Sequence, residues 1–435
     1  MLEKNNPKVI NGWAFYDWAN SVYNLVITSV VFPMFYRKMT PERVDFWGRN
    51  FEHMELYSYV FSASFLVVTI MVPLLSGIAD YTGSKKRFLQ FFCYLGAASC
   101  VTLFFFNPNH LELSLISPFL ASIGFWGSLV FYNSYLPEIA TPDMHNKISA
   151  KGFSLGYIGS ILLLISILIA IKTFPEQGGL IPRLGFVAVG LWWAGFSQIT
   201  YARLPHNVYN KKPIKEAGYI FKGFKELQKV WQELRHLKQV KRFLFSYFIY
   251  NMGVQTIMLL AVVFAEEEIN WPVVNGEVDT SGLIVSIILI QLVAVLGAMV
   301  MSRIAKKIGN IWVIKIAVLI WIVVCLIAYN ISEPSEFYIL AAIVGFVMGG
   351  IQSMSRSTYS QMLPSETTDH ASYFSFYDVL EKIGLIIGPF LYGYTTGNFG
   401  GMRNAVIILA SIFVFGFISL FWLKSEKSEK QLSAL

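Results

Sequence analysis

The segment from Trp13 to Ile27, WAFYDWANSVYNLVI, carries a carboxylate and two amides within an otherwise apolar stretch. Asp17, Asn20 and Asn24 recur at intervals of three and four residues, so in a helix they share one face. Ionisable side chains are costly inside a membrane and usually face a cavity or a charged partner. The pattern therefore predicts a helix face that meets a polar solute, a proton or a basic side chain.

Three basic residues also lie inside apolar stretches: Lys315, Arg356 and Lys382. Arg356 could pair with Asp17 in a gate, or bind the carboxylate of a zwitterionic solute through its planar guanidinium. Asp378 and Lys382 are four residues apart and could pair within one helix. The candidates for the gate or for ion coupling are Asp17, Glu138, Arg356, Asp378 and Glu381.

The composition is that of a membrane protein. The 435 residues are 55% hydrophobic and 14% charged, whereas soluble domains carry about 25% charged residues. Long apolar runs predict an all-α membrane protein, because backbone groups in lipid must be hydrogen-bonded within helices. The sequence contains no nucleotide-binding loop, metal-ligand cluster or nucleophile elbow, so we expect neither an enzyme nor a bound metal or cofactor.

Twelve transmembrane spans are predicted, with a bundle at residues 1–203, a cytoplasmic linker at 204–242, a second bundle at 243–424 and a tail at 425–435. The spans are Gly12–Tyr36, Tyr57–Gly77, Phe88–Phe106, Leu113–Leu136, Gly152–Phe174, Leu184–Ala202, Phe243–Phe264, Gly282–Ile304, Trp312–Ile331, Phe337–Met362, Phe374–Tyr394 and Asn404–Leu423. In the linker, apolar residues at helical spacing among lysines predict an amphipathic helix on the cytoplasmic leaflet or under the bundle: Ile220, Phe224, Leu227, Trp231 and Leu234.

Lysine and arginine residues near the span ends predict the orientation. Most of them lie in segments that are cytoplasmic if the N-terminus is cytoplasmic, which places both termini inside the cell. The net charge of +7 then reflects membrane topology and contact with anionic lipid rather than nucleic-acid binding. We expect a monomeric, multi-pass protein of the cell membrane.

The two halves of the chain contain repeated landmarks. Gly83 in GIADYTGSKKR and Gly309 in SRIAKKIGN are 226 residues apart, and Leu136 of LPE and Leu363 of LPSE are 227 residues apart. Such a duplication predicts two pseudo-symmetric six-helix bundles related by an axis along the membrane normal. This arrangement is typical of secondary transporters.

The segment GIADYTGSKKR resembles the signature loop between helices 2 and 3 of the major facilitator superfamily. Within that superfamily, WAFYDWANS, YNSYLPEIA, GGIQSMSRSTYSQMLP and SFYDVLEKIGLIIGP resemble the vacuole-effluxer-like branch, which contains fungal vacuolar amino-acid exporters and bacterial members. The resemblance extends over nearly the whole chain and implies a solute carrier, and the short loops are typical of a bacterial member. Span 4 departs from many proton-coupled members, because it lacks a basic residue.

The resemblance implies that the signature loop latches the two halves on the cytoplasmic side. Its residues are Gly77, Asp80, Gly83, Lys85, Lys86 and Arg87. Gly77 would permit close helix packing and Gly83 a tight turn. Asp80 would meet the positive end of the span 11 helix, near Ser372–Phe374. We expect the three basic residues to anchor to the cytoplasmic leaflet.

Predicted depth separates gate residues from solute contacts, because facilitator solutes usually bind near the midplane. Asp17, Arg356 and Asp378 lie nearer the cytoplasmic end and suit a gate. The residues that suit contact with the solute are Asn20, Asn24, Trp126, Asn133, Gln255, Gln291, Gln352 and Lys382. All six histidines are predicted in loops, so any proton coupling would depend on acids such as Asp17.

Three functions remain compatible with the sequence. The first is a transporter that moves a small polar solute, such as an amino acid, by alternating access, with or without a coupled proton or other ion. The second is an efflux carrier for amphipathic compounds, with which the 16% aromatic content is compatible. The third is a non-transporting scaffold or sensor, which would not need polar helix faces in both halves.

Overall fold

The computed structural model describes residues 3–209, 219–274, 277–278, 281–398 and 401–424; the predicted tail lies outside them. The α-helices are α1 (Pro7–Val22), α2 (Val31–Met39), α3 (His53–Thr82), α4 (Lys85–Thr102), α5 (Leu111–Ser114), α6 (Ile116–Asn133), α7 (Leu136–Ile139), α8 (Pro142–Thr173), α9 (Leu180–Arg203), α10 (Tyr219–His236), α11 (Lys238–Glu268), α12 (Ser281–Ile308), α13 (Asn310–Asn330), α14 (Pro334–Met362), α15 (His370–Asn398) and α16 (Met402–Ser419). Two antiparallel hairpins pair β1 (Arg43–Phe46) with β2 (Arg49–Glu52) and β3 (Val273–Val274) with β4 (Glu277–Val278).

Ten helical segments among the described residues are long and apolar enough to cross a membrane. They correspond to the predicted spans 2–10 and 12. The two other predicted spans are also helical, at Pro7–Met39 and at α15. These two segments carry Asp17 and the group Asp378, Glu381 and Lys382.

The first span differs from the predicted regular helix. The side chain of Asn6 caps α1 by accepting a hydrogen bond from the backbone of Lys8, and Pro7 occupies the first turn, where its missing N–H costs nothing. From Tyr23 to Val30 the helix widens into a π-helical segment before α2 begins. Such segments are rare and often occur at functional sites, and this one contains Asn24.

The chain forms two compact units. Unit 1 comprises Met1–Thr141, Leu155–Val230 and Glu366–Phe376, and unit 2 comprises Pro142–Ser154, Trp231–Ser365 and Tyr377–Leu435. The beginning of α8 therefore belongs to unit 2, while the beginning of α15 belongs to unit 1. Each unit thus includes a short helical segment from the opposite half of the sequence.

The helices pack in the same pattern within each unit. In unit 1, α3 and α4 pack on α6, and α9 packs on α1 and α4. In unit 2, α12 and α13 pack on α14, and α16 packs on α11 and α13. Gly83 and Gly309 end equivalent helices with φ angles of 68° and 91°, which strongly favour glycine. The predicted duplication is present in the fold.

Small residues set the closest helix contacts in both units. A side chain on Gly124 of α6 would collide with the backbone of Gly96 on α4, and one on Gly349 of α14 with the backbone of Ala294 on α12. Helices in lipid gain little from burying apolar surface, so close backbone approach at small residues is a main source of their association.

Candidate functional site

A cluster of buried ionic and amide side chains joins α11 to α15 in unit 2. The ammonium of Lys382 lies 2.7 Å from Asp378 Oδ1 and 3.4 Å from Glu381 Oε2, and its side chain is completely buried. Gln255 Nε2 donates a hydrogen bond of 2.6 Å to Glu381 Oε1. The pair that the four-residue spacing predicts is therefore present, and Glu381 and Gln255 extend it to the neighbouring helix.

Two polar atoms near this cluster have no partner among the described residues. The Oδ2 atom of Asp378 is buried and accepts no hydrogen bond, and the Nδ2 atom of Asn251 is buried and donates none. Asn251 lies one helical turn before Gln255 and shares its face of α11. A buried polar atom without a partner costs free energy, so the pair offers one acceptor and one donor to a ligand.

Unit 1 holds the polar face of α1. The hydroxyl of Tyr132 on α6 donates a hydrogen bond of 2.8 Å to Asp17 Oδ2. The indole of Trp13 stacks on the Tyr132 ring at 4.5 Å and donates to its carbonyl oxygen, which fixes the tyrosine. Asn20 is buried, and its Nδ2 atom has no acceptor among the described residues. This face can bind a charge and a hydrogen-bond acceptor.

Arg356 on α14 is bound by a residue that the sequence analysis did not select. Its Nε donates to Ser149 Oγ and its NH2 group to the Ser149 carbonyl oxygen, each at 2.9 Å. Its guanidinium also lies 4.1 Å from the centre of the Phe153 ring. Serine and phenylalanine are uncharged, so the sequence alone does not indicate that they contact Arg356. The pairing of Arg356 with Asp17 stays a prediction.

The remaining predicted solute contacts are half-buried. Gln352 donates to the sulfur of Met258 at 3.2 Å, and Gln291 has a buried oxygen without a donor among the described residues. The eight residues predicted to contact the solute are divided between the two units. Unit 1 holds Asn20, Asn24, Trp126 and Asn133, and unit 2 holds Gln255, Gln291, Gln352 and Lys382.

The signature loop forms a second buried ionic cluster, which we call the latch cluster, in unit 1. Asp80 accepts hydrogen bonds from the backbone N–H groups of Ala371 at 3.2 Å and Ser372 at 2.6 Å, in the first turn of α15. The predicted contact of Asp80 with this helix start is present, where the helix dipole favours a negative charge. Lys85 pairs with Asp80 at 3.2 Å and also with Glu138.

A histidine completes the latch cluster. His370 Nδ1 lies 3.3 Å from Glu138 Oε1 and 3.2 Å from the hydroxyl of Tyr209. The prediction that all histidines lie in loops is wrong, because His370 is the first residue of α15 and His145 lies within α8. Both helices begin with polar residues upstream of their apolar runs, so hydropathy does not predict where they start.

The expected lipid contact of Lys85 and Lys86 is wrong, and both are buried, with 6% and 3% of their surface exposed. Two carboxylates neutralise Lys85, and Lys86 donates a hydrogen bond of 2.8 Å to the Leu204 carbonyl. A buried ammonium needs such partners, and the fold supplies them. Arg87 is exposed, as lipid contact requires. Outside the spans, the charge of Lys86 lowers the pKa of His206.

The linker helix α10 packs on the signature loop. A side chain on Gly77 of α3 would collide with the backbone of Gly223 on α10, and one on Gly223 would collide with Ile78. The ammonium of Lys222 lies 5.5 Å from the ring centre of Tyr81. Gly77 therefore permits close packing, as predicted, and its partner is the linker.

A further ion pair joins α10 to the residue that precedes α15. Lys229 Nζ lies 2.8 Å from Asp369 Oδ2 and 3.0 Å from Glu226 Oε1. The hydrogen bond to Asp369 raises the pKa of Lys229, and burial raises the pKa of Glu226. Within α10, Val230 and Leu234 are buried. Phe224 and Trp231, which the sequence analysis placed in the same stripe, are 54% and 48% exposed.

The latch cluster is expected to stabilise the folded protein. Lys85→Met would leave the carboxylates of Asp80 and Glu138 buried without their ammonium, which typically costs about 3–5 kcal/mol. A thiol-reactive dye measures unfolding here, because Cys93, Cys100 and Cys325 are all buried. We expect an earlier melting transition in Lys85→Met and a partial recovery in Lys85→Met/Glu138→Gln.

The control for this prediction removes an exposed charge from the same loop. Arg87→Met should change the stability by less than about 0.5 kcal/mol, as is usual at surface positions. If Lys85→Met melts with the parent, the latch cluster contributes no stability.

Comparisons with known proteins find similarity to transporters over nearly the whole chain. The family model described as "Vacuole effluxer Atg22 like" matches residues 5–433. An uncharacterized MFS-type transporter of Bacillus subtilis, YxiO, is 31% identical over 433 residues, covering 98% of this chain and 97% of the relative. Autophagy-related protein 22-1 of Penicillium rubens is 24% identical, covering 84% and 74%.

Solved structures with the same fold include a sugar symporter and an organic-anion transporter. The E. coli fucose:proton symporter FucP superposes with a TM-score of 0.68 at 16% identity, covering 96% of this chain and 98% of its own. The human organic anion transporter MFSD10 superposes with a TM-score of 0.68 at 14% identity, covering 96% and 100%. The fold of two pseudo-symmetric six-helix bundles predicted from the sequence is that of these proteins.

Proposed function

We propose that this chain, which belongs to the vacuole effluxer Atg22-like family of the major facilitator superfamily, moves an amino-acid-like solute across the membrane by alternating access. Family membership makes it a multi-pass membrane transporter of small-molecule solutes. The solute class, its binding residues and its ion coupling are the proposal.

The observation that carries the proposal is the unsatisfied oxygen of Asp378. This carboxylate is buried in a membrane helix, pairs with Lys382 through Oδ1 and has no donor at Oδ2 among the described residues. Ionisable groups at such positions are retained mainly for function, because burying them costs free energy. The α-ammonium of an amino acid carries three donors and supplies the missing hydrogen bond.

The other polar groups of this cluster suit the rest of such a solute. Asn251 has a buried donor without an acceptor, which a solute carboxylate could fill. Lys382 and Arg356 are the cations that could also bind the solute carboxylate. Glu381, held by Gln255, keeps the cluster net negative, with two carboxylates and one ammonium. A cationic or zwitterionic solute therefore fits better than an anion.

We place the coupling of a proton on Asp17 and the gate on Asp17, Glu138 and Arg356. Asp17 is a buried acid of unit 1 whose Oδ2 atom accepts a hydrogen bond from Tyr132. The charge distribution supports a cell-membrane location with both termini cytoplasmic. We keep the boundaries 1–203, 204–242 and 243–424 as the two bundles and their linker in a monomer.

The alternative of an amphipathic-compound carrier finds less support in unit 2. This unit contains an apolar cavity of about 60 Å³ between α11, α13, α14 and α16, lined by residues such as Leu260 and Val324. Pockets that bind drug-sized ligands measure about 300–1,000 Å³. The cavity is therefore too small for such a compound in this conformation.

A thermal-shift screen followed by transport assays tests the proposal. A solute that binds only the folded protein raises its melting temperature, and we expect amino acids, but not sugars or organic anions, to do so. The solutes that bind should enter or leave proteoliposomes that contain the protein. The proposal is wrong if no amino acid shifts the melting transition and none is transported or competes.

A further inference from the structure

Lys315 on α13 differs from Arg356 and Lys382 in what surrounds it. Arg356 is hydrogen-bonded to Ser149, and Lys382 is paired with Asp378. No hydrogen bond or ion pair joins the ammonium of Lys315 to the described residues, although only 6% of the residue is exposed. Because no described residue supplies an anion, this ammonium can bind one from its surroundings.

Two aromatic rings surround one side of this ammonium. Nζ of Lys315 lies 3.9 Å from the ring centre of Phe421 and 4.5 Å from that of Trp312. Ring faces attract a cation but do not replace an anionic hydrogen-bond acceptor. The three N–H groups of the ammonium therefore keep donor capacity that the aromatic rings do not fill.

The position of Lys315 matches the headgroup region of a bilayer. It follows the first residue of α13, Asn310, by five residues, or about 7.5 Å, and side chains lean toward the start of their helix. A lysine at this depth can extend its ammonium to the membrane surface. Trp312, Phe421 and Trp422 are 47%, 54% and 54% exposed, as aromatic residues are at membrane interfaces.

A second basic residue approaches from α11. Arg242 is exposed, and its NH1 group donates a hydrogen bond of 2.9 Å to the carbonyl of Trp422, next to Phe421. Phe245, one turn later on α11, stacks on the Trp422 ring at 5.7 Å. The ends of α11, α13 and α16 therefore bring two cations and several exposed aromatic rings to one surface of unit 2.

We propose that Lys315, Trp312, Phe421 and Arg242 form a binding site for the phosphate group of an anionic phospholipid. The phosphate accepts hydrogen bonds from the Lys315 ammonium, the exposed Arg242 adds positive charge, and the acyl chains cover the exposed rings. The phosphate comes from a lipid rather than from solution, because the exposed aromatic surface around the ammonium needs an apolar cover.

Native mass spectrometry of the purified protein with phosphatidylglycerol and phosphatidylcholine tests this site. We expect the parent to retain phosphatidylglycerol preferentially, and Lys315→Met to lower its occupancy about fivefold, because the direct hydrogen bond from the ammonium to the phosphate is lost. Lys315→Arg should keep most of the binding. Inorganic phosphate, added in excess, should neither bind nor displace the lipid.

The matched control is Lys307→Met, which removes an exposed lysine at the end of α12 and lowers the net charge equally. It should retain the parent's lipid occupancy. Equal losses in both variants, or displacement by inorganic phosphate, would overturn the proposal. If Lys315→Met does not fold, the parent is labelled with a photoactivatable phosphatidylglycerol and the labelled peptides are identified. Labelling of the peptides around Trp312 and Phe421 supports the site, and labelling confined to other peptides refutes it.

Discussion

In Lys382→Met we expect transport to fall below detection and the folded protein to lose about 3–5 kcal/mol of stability. The ammonium is completely buried and lies within 3.4 Å of two carboxylates, so its removal leaves the buried Asp378 and the half-buried Glu381 as neighbouring negative charges. Two neighbouring like charges without a cation repel each other strongly in such an environment, which destabilises the fold around them. Proteoliposome uptake and thiol-dye melting measure the two effects.

A double variant separates the loss of folding from the loss of binding. Asp378→Asn/Lys382→Met restores the net charge of the cluster, because one carboxylate, held by Gln255, remains. We expect its melting transition to return toward that of the parent while transport stays absent, since the unsatisfied acceptor of Asp378 and the ammonium are both gone. Transport at the parent rate in the double variant would show that these ionic groups do not contact the solute.

In Asp17→Asn we expect accumulation driven by a pH gradient to disappear while exchange of solute against solute continues. Asparagine has nearly the same shape as aspartate and can still accept the hydrogen bond from Tyr132, but it cannot gain or lose a proton. Loading proteoliposomes at one pH and diluting them into another measures accumulation, and counterflow of labelled solute measures exchange.

The control for this prediction keeps the charge and removes the hydrogen bond. Tyr132→Phe should still accumulate solute in a pH gradient, because the carboxylate of Asp17 stays in place and only its hydrogen bond from Tyr132 is lost. Undiminished accumulation in Asp17→Asn would contradict the assignment and favour either uncoupled transport or coupling through another acid.

The latch cluster shows how far the sequence could predict a contact. The resemblance to the signature loop, together with the attraction between a carboxylate and a helix N-terminus, was enough to predict the contact of Asp80 with the start of α15. The same sequence gave the wrong environment for Lys85 and Lys86. Their burial depends on Glu138 and on the Leu204 carbonyl, which are distant in the chain.

The sequence by itself determined the class and the duplication, because hydropathy, helical spacing and glycine turns are local and repeat along the chain, and its motifs indicated the family by resemblance. Apart from the pair of Asp378 and Lys382 within one helix, only the tertiary structure decided which buried charges meet. Ser149 on Arg356, His370 beside Glu138 and the Phe421 ring beside Lys315 all come from segments that no periodicity links. The physical reason is that the local pattern of residues determines the free energy of placing a helix face in lipid. Which residue offsets that free energy depends on how distant segments pack together.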